Sequence, residues 1–229
     1  MQIVVLISAN AEWRTLKSLF AQADFQDSPY GEWFNRPAAS AHSSPVTFFH
    51  GGWGKVSAAA TTQYVIDHFH PDLLVNLGTC GGFEGRIQAG TVILVEKTIV
   101  YDIIEQMTDP DEAIAAYSTD IDLSWLGKNC PSSAVRGLLV SGDRDIVVED
   151  IPDLVRRFGA VAADWESGAI AWVAQKNAIR CLILRGVSDL VGAGGGEAYG
   201  NFELFQQRTD EIMAGLVGQL DHWIQAAGG

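Results

Sequence analysis

Five runs of the chain are apolar at nearly every consecutive position rather than at alternate ones: residues 3–7, 73–77, 92–95, 138–140 and 181–184. Continuous runs of this length predict strands covered on both faces, as in the middle of an α/β sheet. Between them the period changes. Trp13, Leu16, Leu19 and Phe20 recur at helical spacing in residues 11–21, and Val56, Ala59, Ala60, Tyr64 and Ile66 mark residues 55–69. Ala169, Ile170, Trp172 and Val173 mark residues 166–176, and Phe205, Ile212, Leu216, Leu220 and Trp223 mark residues 202–224. Strands alternating with helices predict a mixed, largely parallel sheet flanked by helices, a three-layer α/β sandwich. Residues 30–50 read as a hairpin section, residues 106–134 carry no period, and the glycine cluster at 192–200 reads as an internal loop. With no repeat and no low-complexity linker, residues 1–229 read as one domain.

Composition narrows the function classes. The 48% hydrophobic content suits a sizeable core. A net charge of −13 argues against a nucleic-acid partner and against docking on an anionic membrane. The N-terminal apolar run lacks the basic flank of a signal peptide and is far too short to span a bilayer. Cys80, Cys130 and Cys181 are scattered and form no CxxC pair, so neither a disulfide framework nor a zinc site is expected, and a reducing cytoplasm fits. His68 and His70, two apart, face different sides of a helix and offer no metal site. No metal or cofactor is expected.

The strand ends hold the candidate chemistry, since open α/β sheets bind ligands there. Glu12 follows the first strand. Gly52-Trp53-Gly54-Lys55 follows Phe48-Phe49, and Gly78-Thr79-Cys80-Gly81-Gly82 reads as a loop after the run at 73–77. Ser141-Gly142-Asp143 follows the run at 138–140, Asp164-Trp165-Glu166 precedes a helix, and Arg185-Gly186-Val187-Ser188-Asp189 follows the run at 181–184. Gly52-x-Gly54-x-x-Ser57 lacks the third glycine and the later acidic residue of a dinucleotide fingerprint, a weak signal alone, and reads rather as a tight turn that lets the backbone approach a neighbour. Glu12, Glu166 and Asp189 each adjoin an apolar element, where a carboxylate is costly unless paired or used. Each also has a structural reading: Glu12 in a first helical turn, Glu166 at a helix start with Asp164 as a cap, Asp189 capping a helix or turn.

These motifs, in this order over residues 1 to about 220, resemble the purine nucleoside phosphorylases and nucleosidases, and among them most the 5′-methylthioadenosine/S-adenosylhomocysteine nucleosidases. The resemblance implies a nucleoside phosphorylase-like fold, a small-molecule purine nucleoside substrate, hydrolysis of its N-glycosidic bond and a homodimer. It implies Asp189 as the acid that protonates N7 of the base and Glu12 as the group that activates water. Glu166 would hold the ribose hydroxyls, with Thr79 and Gly81 beside the sugar. Ile146 would read the base edge through its backbone, Arg185 and Ser188 would hold Asp189, and Phe202 would wall the 5′ side. Trp165 stands where these enzymes usually have Met, and Trp53 where they have a smaller aliphatic residue. Arg144-Asp145 replaces Ala-Phe, which puts the identity of base and 5′ group in doubt. The related phosphorylases place arginines at the positions of Glu12 and Asn76, so hydrolysis is favoured over phosphorolysis. Futalosine hydrolysis, phosphorolysis, and a nucleoside-binding protein without catalysis are the alternatives.

Overall fold

The computed structural model describes residues 1–38, 44–126, 131 and 133–228. Cys130 lies outside them. The chain runs β1 (Ile3–Ile7), α1 (Asn10–Leu19), β2 (Gln26–Ser28), β3 (Gly31–Arg36), β4 (Val46–His50), α2 (Gly54–Phe69), β5 (Leu73–Phe83) and β6 (Val92–Val100). It continues through α3 (Pro110–Ala116), β7 (Ser118–Asp120), β8 (Val135–Ser141), α4 (Ile151–Phe158) and β9 (Ala162–Asp164). It ends with α5 (Ser167–Lys176), β10 (Arg180–Gly192), β11 (Gly195–Gly196) and α6 (Phe202–Ala226).

The continuous apolar runs are strands buried on both faces, and successive residues divide between two cores. Ile3, Val5 and Ile7 of β1 pack with Trp13 and Leu16 of α1 and Leu216, Leu220 and Trp223 of α6. Val4 and Leu6 pack with Ala58 and Val65 of α2 and Ile170 and Ala174 of α5 on the other face. The same alternation divides Leu182 and Leu184 from Cys181 and Ile183 in β10. A polar residue on either face would forfeit burial, which explains the absence of the two-residue alternation typical of half-exposed strands. The hairpin section expected at 30–50 is present in its described residues: β3 runs antiparallel to β2 and β4.

The sheet is mixed, as expected, but it is not the flat middle layer of a sandwich. β5 and β10 pair in parallel from Arg180–Leu73 to Val191–Phe83. The sheet continues from β10 through β6, β8 and β9 and returns to β5, so five strands close a barrel. Closure follows from strand length and bending. β5 has 11 residues and β10 has 13. β5 changes partner from β1 along residues 73–77 to β9 at Gly81 and Gly82. A register shift between Val187 and Asp189 bends β10, as an extra residue in one strand does.

The motifs at 78–82 and 185–189, expected as loops beyond the strand ends, therefore lie inside β5 and β10. The unpatterned stretch 106–134 holds α3, capped by Asp109 on the N–H of Asp111, and β7. The glycine cluster at 192–200 includes the short strand β11, paired back onto β10.

Candidate active site

Glu12 stands in the first turn of α1, three residues after Ala9. Its Oε2 accepts the Ala9 backbone N–H at 3.1 Å, which ties the carboxylate to the helix start. Its Oε1 accepts the backbone N–H of Thr79 at 2.6 Å and the Thr79 hydroxyl at 3.0 Å. Glu12 is buried. Burial raises its pKa, against the pull of the Arg185 guanidinium and the bonds from Thr79 and Ala9. A buried carboxylate with a raised pKa is suited to take up a proton near neutral pH.

Arg185, buried in β10, organises the same cluster. Its Nε donates to Asp164 Oδ2 at 2.8 Å and to Ser167 Oγ at 2.9 Å, and its Nη2 donates to Asn76 Oδ1 at 2.7 Å. Asp164 also accepts the Ser141 hydroxyl at 2.6 Å, the Ser167 N–H at 3.2 Å and the Ser167 hydroxyl. The Arg185–Asp164 pair is thus buried and well hydrogen-bonded, the condition under which a buried ion pair is tolerated. Its position relies on Gly78: a Cβ there would stand inside contact distance of Nη1 of Arg185 and 2.7 Å from Oε1 of Glu12.

Glu166 sits at the start of α5, and its Oε1 accepts the backbone N–H of Gly54 at 3.1 Å. The neighbouring N–H of Lys55 goes to Asp143 Oδ1 at 2.8 Å. The N-terminus of α2, whose own N-cap Trp53 supplies no side-chain acceptor, is therefore capped by carboxylates from two distant elements. Gly52 and Gly54 adopt positive φ there, at 73° and 77°. The Gly-x-Gly motif is thus a turn that lets the backbone approach carboxylates, not a dinucleotide cradle. Lys55 pairs with Asp102 and, at 3.5 Å, with Asp143. Burial pushes the Glu166 carboxyl up to about 8, reinforced by the charge of Asp164 and opposed by Arg185.

Asp189 lies at the register shift of β10, opposite Gly81. Ser188 Oγ donates to its Oδ1 at 2.7 Å and lies 3.2 Å from the Cys80 carbonyl. Burial raises the Asp189 pKa, while the Ser188 bond and the Ala198 backbone lower it. The Ile146 side chain fills the space above Gly81, since a Cβ on Gly81 would lie 2.6 Å from Ile146 Cδ1.

The structure gathers the expected residues in two adjoining groups along β5 and β10. Glu12, Thr79, Arg185 and Glu166 form one, and Asp189, Ser188, Gly81 and Ile146 form the other. Trp53 and Phe202 expose their rings at the starts of α2 and α6, and Trp165 is partly exposed beside Glu166. Phe202 makes its ring contact with Phe205, 6.4 Å away on its own helix. Arg185 departs from expectation. Its hydrogen bonds go to Asp164, Ser167 and Asn76 rather than to Asp189, which Ser188 holds. Asp164 caps α5 as its sequence position suggested, but its pairing with Arg185, 21 residues on, has no local signal. Ser167, Arg208 and Tyr199 were not singled out in the sequence. Arg208 Nη1 donates to the Ser188 carbonyl at 2.9 Å and to Glu197 Oε2 at 2.7 Å. The expected Arg144-Asp145 substitution places Arg144 on Asp150 at 2.6 Å, with its guanidinium 6.0 Å from the Tyr101 ring.

Residues 31–220 match the family described as the phosphorylase superfamily. The chain is 30% identical over 190 residues to the 5′-methylthioadenosine/S-adenosylhomocysteine nucleosidase of Staphylococcus saprophyticus, covering 78% of this chain and 82% of that one. The fold is similar to the crystal structure of the Campylobacter jejuni enzyme of the same name, with a TM-score of 0.76 at 18% identity, covering 96% of this chain and 99% of that one. It is also similar to the Streptococcus pneumoniae MTA/SAH nucleosidase in complex with 8-aminoadenine, with a TM-score of 0.76 at 20% identity, covering 99% and 100%.

Proposed function

The chain belongs to the phosphorylase superfamily, and from that premise we propose that it is a nucleosidase that hydrolyses the N-glycosidic bond of a purine nucleoside such as 5′-methylthioadenosine or S-adenosylhomocysteine. The observation that carries this reading is the placement of three buried carboxylates, Glu12, Glu166 and Asp189, at the starts of α1 and α5 and inside β10, around one stretch of β5. Asp189 gives its proton to N7 as the bond from C1′ to N9 breaks, so the bonding electrons leave on a neutral base. Glu166 accepts hydrogen bonds from the ribose hydroxyls, which strengthen as C1′ becomes cationic. Glu12 takes a proton from the water that attacks C1′, so one water is consumed and a free sugar and a free base are formed. The division of labour between an acid and a base on opposite faces is that of inverting glycosidases.

Water rather than phosphate is the acceptor because the sugar end of the site is acidic. Arg185, the cation buried there, is bonded to Asp164, Ser167 and Asn76, and Glu12 would repel an incoming phosphate. The test is release of adenine and free 5-methylthioribose from 5′-methylthioadenosine in phosphate-free buffer. A strict phosphate requirement with a ribose 1-phosphate product would overturn the reading.

Trp53, Val56, Ile104, Met107 and Phe202 expose large apolar side chains. We assign these side chains to contact with a second copy of the chain, a homodimer to be checked by sedimentation. The whole chain acts as one nucleoside-cleaving domain. No helix among the described residues is long and apolar enough to cross a membrane, and the free, buried Cys80 and Cys181 suit a cytoplasmic setting.

A further inference from the structure

Tyr199, between β11 and α6, reaches out of the glycine-rich segment to the acid side of the site. Its hydroxyl donates to the Ile146 carbonyl at 3.0 Å. The bond is built into the segment rather than incidental to it. The Tyr199 ring lies over Gly196, where a Cβ would stand 2.7 Å from the ring, and Gly200 turns the chain after it with φ of 75°. The segment is tied to β10 on both sides of the turn. The Glu197 N–H donates to the Leu190 carbonyl at 3.0 Å, while its carboxylate accepts from the Leu190 N–H at 3.2 Å and from Arg208. Burial, reinforced by the charges of Asp145 and Asp189, pushes the phenol's pKa up to about 12 and keeps it protonated.

This placement bears on the base. The reading above makes Asp189 the donor to N7, and the substituent on C6 of a purine is the neighbour of N7 on the same edge. Ile146 packs over Gly81, the register partner of Asp189, so a hydroxyl held on the Ile146 carbonyl stands at the Asp189 end of the site, and on the reading above it meets that substituent. A tyrosine hydroxyl has one donor and two acceptor lone pairs. Here the donor is committed to the Ile146 carbonyl, so the oxygen faces a ligand as an acceptor. A 6-amino group donates to it and completes a chain from amine through hydroxyl to carbonyl. A 6-oxo group meets an acceptor, and the hydroxyl turns toward it only by abandoning Ile146. A site with a committed polar group discriminates against the ligand that cannot pair with it.

We propose that Tyr199 is the residue that sets the preference at C6 of the base: its hydroxyl, committed as a donor to the Ile146 carbonyl, selects 6-aminopurines over 6-oxopurines. The proposal rests on the assignment of Asp189 as the N7 donor.

The test is equilibrium binding of adenine and of hypoxanthine to the full-length wild-type protein and to Tyr199→Phe, followed by tryptophan fluorescence or calorimetry. Wild type binds adenine more tightly, and Tyr199→Phe reduces the adenine-to-hypoxanthine ratio by about threefold to tenfold, the worth of one neutral hydrogen bond. The loss falls on adenine. An unchanged ratio, equal weakening of both bases (the mark of a tyrosine that only supports the segment), or no binding of either base overturns the proposal. Binding is read apart from turnover. A lost preference in a protein that releases no base supports the role of Tyr199 and sinks the hydrolase reading, whereas base release with an unchanged ratio sinks the role of Tyr199 alone.

Discussion

Oε1 of Glu12 accepts both the backbone N–H and the hydroxyl of Thr79, at 2.6 and 3.0 Å, so a residue of α1 is locked to the middle of β5. Both bonds use the same oxygen, whose place a glutamine carbonyl can take, at the expense of the single bond from the Ala9 N–H to Oε2. Glu12→Gln is therefore expected to keep the fold and lose the base. Turnover should fall by about 10²- to 10⁴-fold, the usual worth of positioned proton transfer, while KM changes by less than about fivefold. Steady-state kinetics beside circular dichroism check this. A variant that keeps its turnover would remove Glu12 from the chemistry.

Ser188 tunes the acid. Its hydroxyl donates to Asp189 at 2.7 Å, which favours the ionised carboxylate and lowers a pKa that burial has raised. Asp189 works in its protonated form, so activity is lost as pH rises through its pKa. Ser188→Ala removes the lowering bond, and the alkaline limb of the kcat profile should move to higher pH. Asp189→Asn should lose nearly all turnover at every pH. A Ser188→Ala profile displaced to lower pH would contradict the assignment.

Much of this was legible in the sequence where one local pattern sufficed. The strands at 3–7 and 181–184 stood out because both faces of each are covered, and Glu12 stood out as a first-turn carboxylate. What escaped was non-local. Gly78-Thr79-Cys80-Gly81-Gly82 has a loop's composition yet continues β5, because β9 and β10 pair with it from 80 or more residues away. Its glycines leave room for Arg185, Ile146, Ile87 and Val187 rather than for a turn. Barrel closure is likewise a property of pairing that no segment carries alone. Asp164 signals a helix cap, and nothing adjacent announces that it also holds a buried arginine. Tyr199 sits among glycines in a segment without period, and its partner Ile146 lies 53 residues earlier.

Glu166 binds at a cost in stability that should be visible as pH dependence. Its carboxyl, ordinarily near 4.5, is pushed up to about 8 in the folded protein. The folded state therefore binds the proton more tightly than the unfolded chain. This group's contribution is fully present below about pH 4.5 and is lost as pH rises toward 8. Glu166→Gln removes the ionisation. Relative to wild type, its Tm should be raised by several degrees at pH 8 and little changed at pH 4.5, while nucleoside binding is lost. Thermal unfolding across this range decides it. A wild-type advantage that grows with pH would show that Glu166 is held ionised.

Two kinds of glycine should respond oppositely to the same added methyl group. At Gly78 a Cβ collides with Nη1 of Arg185 and stands 2.7 Å from Oε1 of Glu12, and both side chains are buried with their partners fixed. Neither yields without breaking the bonds to Asp164, Asn76 or Thr79. Gly78→Ala should lower stability by about 1–3 kcal/mol, the usual range for overpacking. A displacement of the base near 1 Å is worth about 10²-fold in rate, so turnover should fall by at least that much. Gly215 and Gly218 lie on the exposed side of α6 with open space where a Cβ would stand. Alanine there restricts the unfolded chain and favours the helix, so each substitution should raise stability by about 0.5–1 kcal/mol with turnover unchanged. Denaturant unfolding of the three variants measures both signs. If Gly78→Ala were as stable and as active as wild type, the close approach of Arg185 and Glu12 across β5 could not be the arrangement that holds the water-activating carboxylate.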